Sequence, residues 1–274
     1  MAEKAKAKPR TAGKAKKPGP TGEGRYWEET RRPLYNLVFV LPMLLFYEIG
    51  IVLVNVPIVA TYGEPLRNYA DGFIRDLMWE VFSRIGLGPY VVSGIVVVAV
   101  FLAWQLIGRH PWKVTPWMLA GMIAESACIA LAYYMVVRVL IDPLVTMTIE
   151  NDEMPFLQSR YFIDPVLSCG AGVYEEFVFR VVLIGAFALV VHGLTGRGWK
   201  VGIFAGIVLS AVAFSASHYL GTRAREFSWL SFVGRTGAGL LFGTVYYYRG
   251  FGIAAGTHAI FDMLVMIFPA GGGA

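Results

Sequence analysis

The chain is poor in charged residues and lacks most short motifs of soluble enzymes. Charged side chains make up 16% of its 274 residues, and hydrophobic ones make up 56%. Soluble domains carry about 25% charged residues, so a polytopic membrane protein is predicted. The sequence has no GxGxxG in a strand–helix context, no P-loop and no HExxH. Nucleotide-binding folds and HExxH zinc proteases are therefore not indicated.

The chain also has few cysteines and no evident internal repeat. Cys128 and Cys169 are the only cysteines, both in apolar or near-apolar surroundings and without metal-type spacing. We expect two buried free thiols rather than one disulfide. No repeat is evident, so the usual sequence sign of an inverted-repeat transporter is missing.

Positive charge is concentrated in the first 32 residues. They hold ten Lys or Arg and four Glu, a net charge of +6, whereas the other 242 residues have fourteen basic and fifteen acidic residues, a net charge of −1. Because this stretch has no apolar h-region, we expect 1–32 to be a disordered basic tail rather than a signal peptide. Contact with anionic lipid headgroups is an alternative role. Nucleic-acid binding is not expected, since no aromatic-interleaved domain accompanies the charge.

The remaining residues, 33–270, are predicted to form one membrane-embedded all-α bundle of seven to eight helices. Apolar segments predict spans at about 34–60, 90–108, 116–141, 165–194, 200–220, 228–248 and 251–268. The amphipathic segment 65–88 is predicted to lie in the membrane interface, and 142–164 is predicted to be a polar loop. The positive-inside rule places the tail in the cytoplasm, and the cell membrane is the expected location.

The fourth predicted span contains two adjacent glutamates and an arginine. A charged group in hydrocarbon costs several kcal/mol, so these residues are expected to have a use. Glu176 and Arg180 are four residues apart on one helix face and are predicted to pair. Glu175 lies about 100° around the helix, which leaves it as the freer carboxylate, suited to general-base catalysis. A purely structural ion pair is the competing interpretation.

Two histidines lie in later predicted spans, each beside another motif residue. Phe214 and His218 share a face of the fifth span, and His258 and Asp262 share a face of the seventh. A carboxylate bonded to an imidazole fixes its tautomer and orientation. The competing interpretations are a hydrogen-bonded packing histidine and a polar contact between helices.

These residues can activate water by two routes. In one, Glu175 and His218 polarise the water directly. In the other, His218, His258 and a glutamate hold a zinc ion. Spacing does not separate the two routes, because the residues come from three helices. Elsewhere in the spans, Arg235 is a candidate counter-ion for Glu125 or for a substrate carboxylate.

The three motifs, in this order, resemble those of the CAAX protease and bacteriocin-processing family of intramembrane endopeptidases. That family has EExxxR, FxxxH and HxxxN, or a similar polar residue, on separate core helices. Here the motifs are Glu175-Glu176-Phe-Val-Phe-Arg180, Phe214-Ser-Ala-Ser-His218 and His258-Ala-Ile-Phe-Asp262. The resemblance covers roughly residues 116–268. Within the family, the chain is similar to the Ras-converting CAAX endopeptidase.

The resemblance implies a peptide-bond hydrolase with a helical core and a water-accessible cavity. Glu175 would be the catalytic base and would work with His218 on the water. Arg180 would orient Glu176 and the core. The metal-free route is favoured, and zinc held by His218, His258 and Glu175 is the alternative.

By the same resemblance, His258 and the residue at 262 would stabilise the oxyanion. The chain has Asp262 where the Ras-converting subgroup has Asn. An ionised Asp cannot donate a hydrogen bond to an oxyanion. It can instead hold His258 protonated, so that the imidazolium donates.

We therefore expect an enzyme that cuts near the membrane-proximal C-terminus of a protein or peptide in the lipid bilayer. A prenylated C-terminus, a membrane-anchored sorting tail and a peptide precursor all fit as substrates. Two other functions stay open. One is an ion- or proton-coupled transporter or channel. The other is an inactive family member acting as a scaffold or immunity-type factor.

Overall fold

The computed structural model describes residues 22–62, 66, 68–85, 93–140, 160–196, 198–220 and 227–268. All regular secondary structure in these residues is helical, which confirms the predicted all-α bundle. The helices are α1 (Gly22–Glu29), α2 (Pro33–Tyr62), α3 (Tyr69–Phe82), α4 (Gly94–Ile107), α5 (Pro116–Leu140), α6 (Arg160–Gly170), α7 (Gly185–Thr195), α8 (Trp199–Ser217), α9 (Trp229–Arg249) and α10 (Phe251–Ile267). Between α6 and α7 the chain stays helical through two π-helical stretches, Ala171–Glu175 and Phe177–Ile184.

Four helical segments of the described chain are long and apolar enough to cross a membrane. They are Pro33–Asn55, Pro116–Val139, Tyr161–Thr195 and Trp199–Ser217. The predicted second and seventh spans correspond to α4 and α10, which are apolar but shorter, with 14 and 17 residues. The predicted sixth span corresponds to α9, which is not among the four. The predicted polar loop 142–164 lies outside the described residues except for its end, where 160–164 begin α6.

The expected disordered tail is corrected at its C-terminal end, because residues 22–29 form α1. Tyr26 and Trp27 anchor this helix to the bundle. The Tyr26 hydroxyl donates to Glu125 Oε2 over 2.8 Å, and the Arg249 guanidinium lies 3.8 Å from the centre of the Trp27 ring. Burial is the main cause that raises the pKa of Tyr26 to about 12, so the phenol stays a donor to Glu125 at neutral pH. Residues 1–21 of the predicted tail lie outside the described residues.

The ion pair predicted for Glu125 has a different partner. Arg249, at the end of α9, forms a bidentate ion pair with Glu125. The Arg249 Nη2 donates to Glu125 Oε2 over 2.7 Å. Arg235 instead donates to the Tyr219 hydroxyl over 3.0 Å. Of the two candidate partners of Arg235, Glu125 is therefore wrong, and a substrate carboxylate stays a prediction. Both arginines lie on α9, and the sequence does not say which end of α9 meets α5.

Helix α3 directs two of its charged side chains, Asp71 and Arg75, toward the bundle. Asp71 is fully buried, and Arg75 pairs with it and with Glu48 of α2, each over 2.8 Å. The apolar side chains of Phe73 and Leu77 are instead more than half exposed. This outward apolar face fits the predicted contact of the segment with lipid.

Helix α10 occupies the centre of the bundle, since every residue of Phe251–Ala259 is buried. The π-helical stretch can approach it closely because residue 172 is glycine. A Cβ atom at Gly172 would lie 2.5 Å from the Ala255 carbonyl oxygen and 2.9 Å from the Ala259 Cβ. This close packing brings α10 and its histidine beside the paired glutamates.

Both cysteines are free thiols, as predicted. Cys169 is buried, but Cys128 is exposed at the protein surface, so the expected burial of both is wrong for Cys128. Helix α5, which carries Cys128, is one of the apolar spans.

Candidate active site

The two glutamates of the first motif lie where the long helix between 160 and 195 adopts its π-helical form. Glu175 ends the first π-helical stretch, and Glu176 separates it from the second. π-helical turns are rare and occur frequently at functional sites. The glutamates are nearly inaccessible, with exposed fractions of 8% for Glu175 and 0% for Glu176.

The predicted pair of Glu176 and Arg180 is confirmed. Arg180 Nε lies 3.0 Å from Glu176 Oε2, and both side chains are fully buried. Within the described part of the chain, none of the guanidinium nitrogens has a hydrogen-bond partner, so the contact with Glu176 is an ion pair without hydrogen-bond geometry. The Arg180 guanidinium instead contacts aromatic rings. Its central carbon lies 5.0 Å from the centre of the Phe214 ring and 5.9 Å from that of the Phe242 ring. Glu176 is therefore the close anionic partner of a buried cation.

Glu176 also binds the histidine of the third motif, a contact that the sequence did not predict. Its Oε1 lies 2.8 Å from His258 Nδ1. Because a carboxylate only accepts, Nδ1 carries a hydrogen and donates it. The Phe242 ring stacks on the imidazole at 4.5 Å with a 15° angle between the planes. The carboxylate and the ring together fix the orientation of His258, with Nε2 pointing away from Glu176.

The other imidazole nitrogen faces two more carboxylates. His258 Nε2 lies 3.5 Å from Asp262 Oδ2, one turn along α10, which confirms the predicted proximity of these residues. It also lies 4.0 Å from Glu175 Oε2. That distance is longer than a hydrogen bond. Two bonds of about 2.8 Å that meet at a water oxygen at about 90° would span it.

Glu175 is not as free as expected. Its Oε1 accepts a hydrogen bond of 2.7 Å from the side-chain amide of Asn68, at the start of α3. The two oxygens therefore have different surroundings. Oε1 is held by a neutral donor, and Oε2 faces His258.

His218 lies just beyond the end of α8, which stops at Ser217 rather than continuing to 220 as predicted. Its Nδ1 is 2.9 Å from the Phe214 carbonyl oxygen, so Nδ1 donates. The Phe214 ring lies 5.1 Å from the His218 ring and 5.9 Å from that of His258. The second motif thus adjoins the third through Phe214. The imidazole found next to Glu175 is His258, and a contact between Glu175 and His218 stays a prediction.

A zinc site does not fit this arrangement of side chains. Across the described ranges, no three His, Cys, Asp or Glu side chains are placed to hold a metal ion. The set proposed for zinc, His218, His258 and Glu175, lies within these ranges. His258 already directs Nδ1 at Glu176, which leaves only Nε2 as a ligand atom.

The site as a whole is anionic. Glu175, Glu176 and Asp262 surround one imidazole, and Arg180 supplies the cation opposite Glu176. An unpaired charge is expensive in a buried site, so this arrangement favours a second positive charge on His258. The site therefore offers a carboxylate that can accept a proton beside an imidazole that can donate one.

Two residues that contact the site lie outside the three motifs, and the sequence does not predict them. Asn68 lies more than 100 residues before Glu175, and nothing in its local sequence distinguishes it except its position as a helix N-cap. Phe242 is one of many aromatic residues in an apolar segment. A sequence pattern within one helix cannot reveal either, because both act across helix interfaces.

Comparison with known proteins agrees with the motifs. Residues 159–264 match the family model described as type II CAAX prenyl endopeptidase Rce1-like. Comparisons with curated proteins and with solved structures give no match. The matched segment contains all three motifs and every residue predicted for the site, which confirms the resemblance. The chain is therefore an integral membrane protein that, over residues 159–264, is similar to the Rce1-like CAAX endopeptidases.

Proposed function

We propose that the protein is an intramembrane endopeptidase that hydrolyses a peptide bond near the membrane-proximal C-terminus of its substrate. The observation that carries this proposal is the 4.0 Å gap between Glu175 Oε2 and His258 Nε2. A water in this gap would be bonded to a proton acceptor on one side and an imidazole on the other. The family match supports protease chemistry for the same residues.

In the proposed reaction, Glu175 takes a proton from the water as its oxygen attacks the peptide carbonyl carbon. The carbonyl oxygen becomes an oxyanion, which the Nε2–H of the His258 imidazolium stabilises. His218 acts with Glu175 on the water, since its Nδ1–H is used by the Phe214 carbonyl and its Nε2 can accept. The tetrahedral intermediate then collapses. The C–N bond breaks, and the proton held by Glu175 passes to the leaving nitrogen, giving a carboxylic acid, an amine and the Glu175 carboxylate again.

Glu176 and Arg180 take no proton in this scheme. Glu176 holds His258 with Nδ1–H bonded, so that Nε2 faces the reacting atoms. Arg180 keeps Glu176 ionised by direct pairing. Asp262, close to Nε2, favours the imidazolium and acts through His258 rather than as an oxyanion donor. We place the N-terminal tail in the cytoplasm and the protein in the cell membrane, on the charge asymmetry of the sequence.

The substrate is identified by comparing C-terminal peptides from cells that carry the wild type or Glu175→Gln. We expect uncut C-terminal peptides of membrane or lipid-anchored proteins to accumulate in the variant. Glu125→Gln is the matched control, since it neutralises another carboxylate in the membrane domain that pairs with Arg249 away from the site. Identical peptide profiles for wild type and Glu175→Gln would contradict the proposal.

Two further results separate the alternatives. A protease without a metal keeps its activity when the purified protein is treated with a chelator, whereas loss of activity that zinc restores would support the metal route. A transporter would instead give Glu175-dependent ion or proton flux in proteoliposomes without peptide cleavage.

A further inference from the structure

Asn68 is placed to control the orientation of the Glu175 carboxylate. The last torsion of a glutamate is broad, so an unanchored carboxylate rotates easily. In this structure, a hydrogen bond to one oxygen of Glu175 fixes the direction of the other. Oε1 accepts from the Asn68 amide over 2.7 Å, and Oε2 faces His258 Nε2.

The Asn68 side chain is itself held from both ends of its amide. Its Oδ1 caps α3 by accepting from the backbone N–H of Ala70 over 2.9 Å, with a longer contact to that of Asp71. Because the oxygen is used by the cap, the NH₂ group must point toward Glu175. The assignment of the amide donor therefore follows from the cap.

The start of α3 is anchored to α2 by a buried polar network. The Asn68 backbone N–H donates to the Tyr47 hydroxyl over 3.0 Å, and that hydroxyl donates to Asp71 Oδ2 over 2.8 Å. Arg75 then joins Asp71 to Glu48 of α2. Tyr47 and Asp71 are fully buried. The network fixes the position of Asn68, and through it that of Glu175.

We infer that Asn68 is a positioning residue for the reaction, whose amide holds Glu175 with Oε2 toward the attacking water. This rests on the proposed role of Glu175 as the base. Asn68 lies outside the segment that matches the family model, and no motif includes it. Helix α3, which lies earlier in the chain than the matched segment 159–264, thus takes part in the chemistry.

The two functions of the side chain can be separated by substitution. Asn68→Ser keeps an oxygen for the helix cap and removes the donor to Glu175. Asn68→Asp keeps the cap and replaces the donor with a second negative charge. Both variants are expected to fold, since serine and aspartate are good N-cap residues.

We expect Asn68→Ser to lower kcat by roughly 10- to 100-fold with KM little changed, because a hydrogen bond to a charged group is lost at the reacting centre. The acidic limb of the kcat/KM profile should move to higher pH, since the ionised carboxylate has lost a donor. Asn68→Asp should move it further. The other groups facing Glu175 are Glu176, Arg180, His258 and Asp262, and they are the same in every variant.

Asn36→Ser is the matched control. Asn36 donates to the Arg32 carbonyl over 2.8 Å and accepts from the Gly252 N–H over 2.6 Å, at the far end of α10 from the site. Gly252 is six residues before His258, about 9 Å along a helix. This control should lower the unfolding temperature without moving the pH profile. A similar change in Asn68→Ser, with an unmoved profile, would assign Asn68 a structural role alone and overturn the inference.

A second readout does not depend on cleavage. A hydrophobic carbodiimide reacts with protonated carboxyl groups, and mass spectrometry measures its attachment to Glu175 as a function of pH. The midpoint should rise in Asn68→Ser and rise more in Asn68→Asp. Equal midpoints for wild type and both variants would overturn the inference, even if Glu175 proves essential for cleavage. Shifted midpoints, with equal cleavage by wild type and Glu175→Gln, would instead refute the proposed function and retain the contact.

Discussion

Glu176 has two partners, and a double substitution separates its contributions to stability and to activity. Glu176 and Arg180 are both fully buried and lie 3.0 Å apart. Removing one partner of a buried ion pair costs about 3–5 kcal/mol, because the other charge is left without compensation. The ring of Phe214 remains over Arg180, but a cation–π contact is worth only about 0.5–2 kcal/mol. We therefore expect Glu176→Leu to be strongly destabilised.

Removing both charges should restore part of the stability. Replacing a buried ion pair with apolar residues of similar volume is often neutral or stabilising by about 1–4 kcal/mol. We expect Glu176→Leu/Arg180→Met to unfold at a midpoint above that of either single variant, although below the wild type because buried His258 Nδ1 has lost its acceptor. The midpoint is measured by thermal or denaturant unfolding of the purified protein in detergent. Arg180→Met alone should be destabilised, since Glu176 then lacks its cation.

Activity should not return with stability. His258 Nδ1 loses its acceptor in the double variant, and loss of such an orienting partner typically costs about 10- to 100-fold. The measurement is the cleavage rate per folded molecule. The reasoning is refuted if Glu176→Leu unfolds like the wild type, or if the double variant recovers wild-type cleavage along with its stability.

Two other substitutions test the site and its packing. Asp262→Asn keeps a polar atom near His258 Nε2, so we expect kcat to stay within about tenfold of the wild type; a loss as large as that of Glu175→Gln would contradict the indirect role of Asp262. Gly172→Val places side-chain atoms where a Cβ already lies 2.5 Å from the Ala255 carbonyl oxygen, so unfolding temperature and cleavage should both fall. Gly185→Ala in the same long helix has no atom within 4 Å of its Cβ and is the control that should change neither.

The sequence predicted what lies on one helix better than what lies between helices. The pairs Glu176–Arg180 and His258–Asp262 follow from the helical repeat, because residues four apart share a face whatever the tertiary structure. The contact of Glu176 with His258 joins two helices 82 residues apart in the chain. Such a contact depends on which faces pack together, and local spacing does not encode that.

The position of His218 shows a second limit. The apolar pattern continues past Ser217, so the sequence predicts a fifth span that extends to 220. In the structure the Phe214 carbonyl accepts from the Ser217 hydroxyl over 2.7 Å and from His218 Nδ1. These side-chain bonds compete with the backbone bond that would continue the helix. Hydropathy alone does not register this competition.

The boundary between the N-terminal tail and the bundle differs from the prediction for a related reason. The sequence assigns residues 22–32 to the tail because Lys, Ala, Pro and Gly dominate the N-terminal composition. The aromatic residues Tyr26 and Trp27 and their contacts with Glu125 and Arg249 nevertheless hold α1 against the bundle. A few specific long-range contacts outweigh the average composition of the stretch.

The most direct test of the central claim is the turnover of purified Glu175→Gln in proteoliposomes, with a substrate identified from the accumulated C-terminal peptides. Glutamine is close in shape to glutamate and can still accept from Asn68, but it cannot take a proton from water at neutral pH. We expect kcat to fall by about 10²–10⁴-fold, the usual contribution of a general base, while the unfolding midpoint stays close to that of the wild type. Turnover by Glu175→Gln at a rate close to that of the wild type would contradict the role of Glu175 as the base.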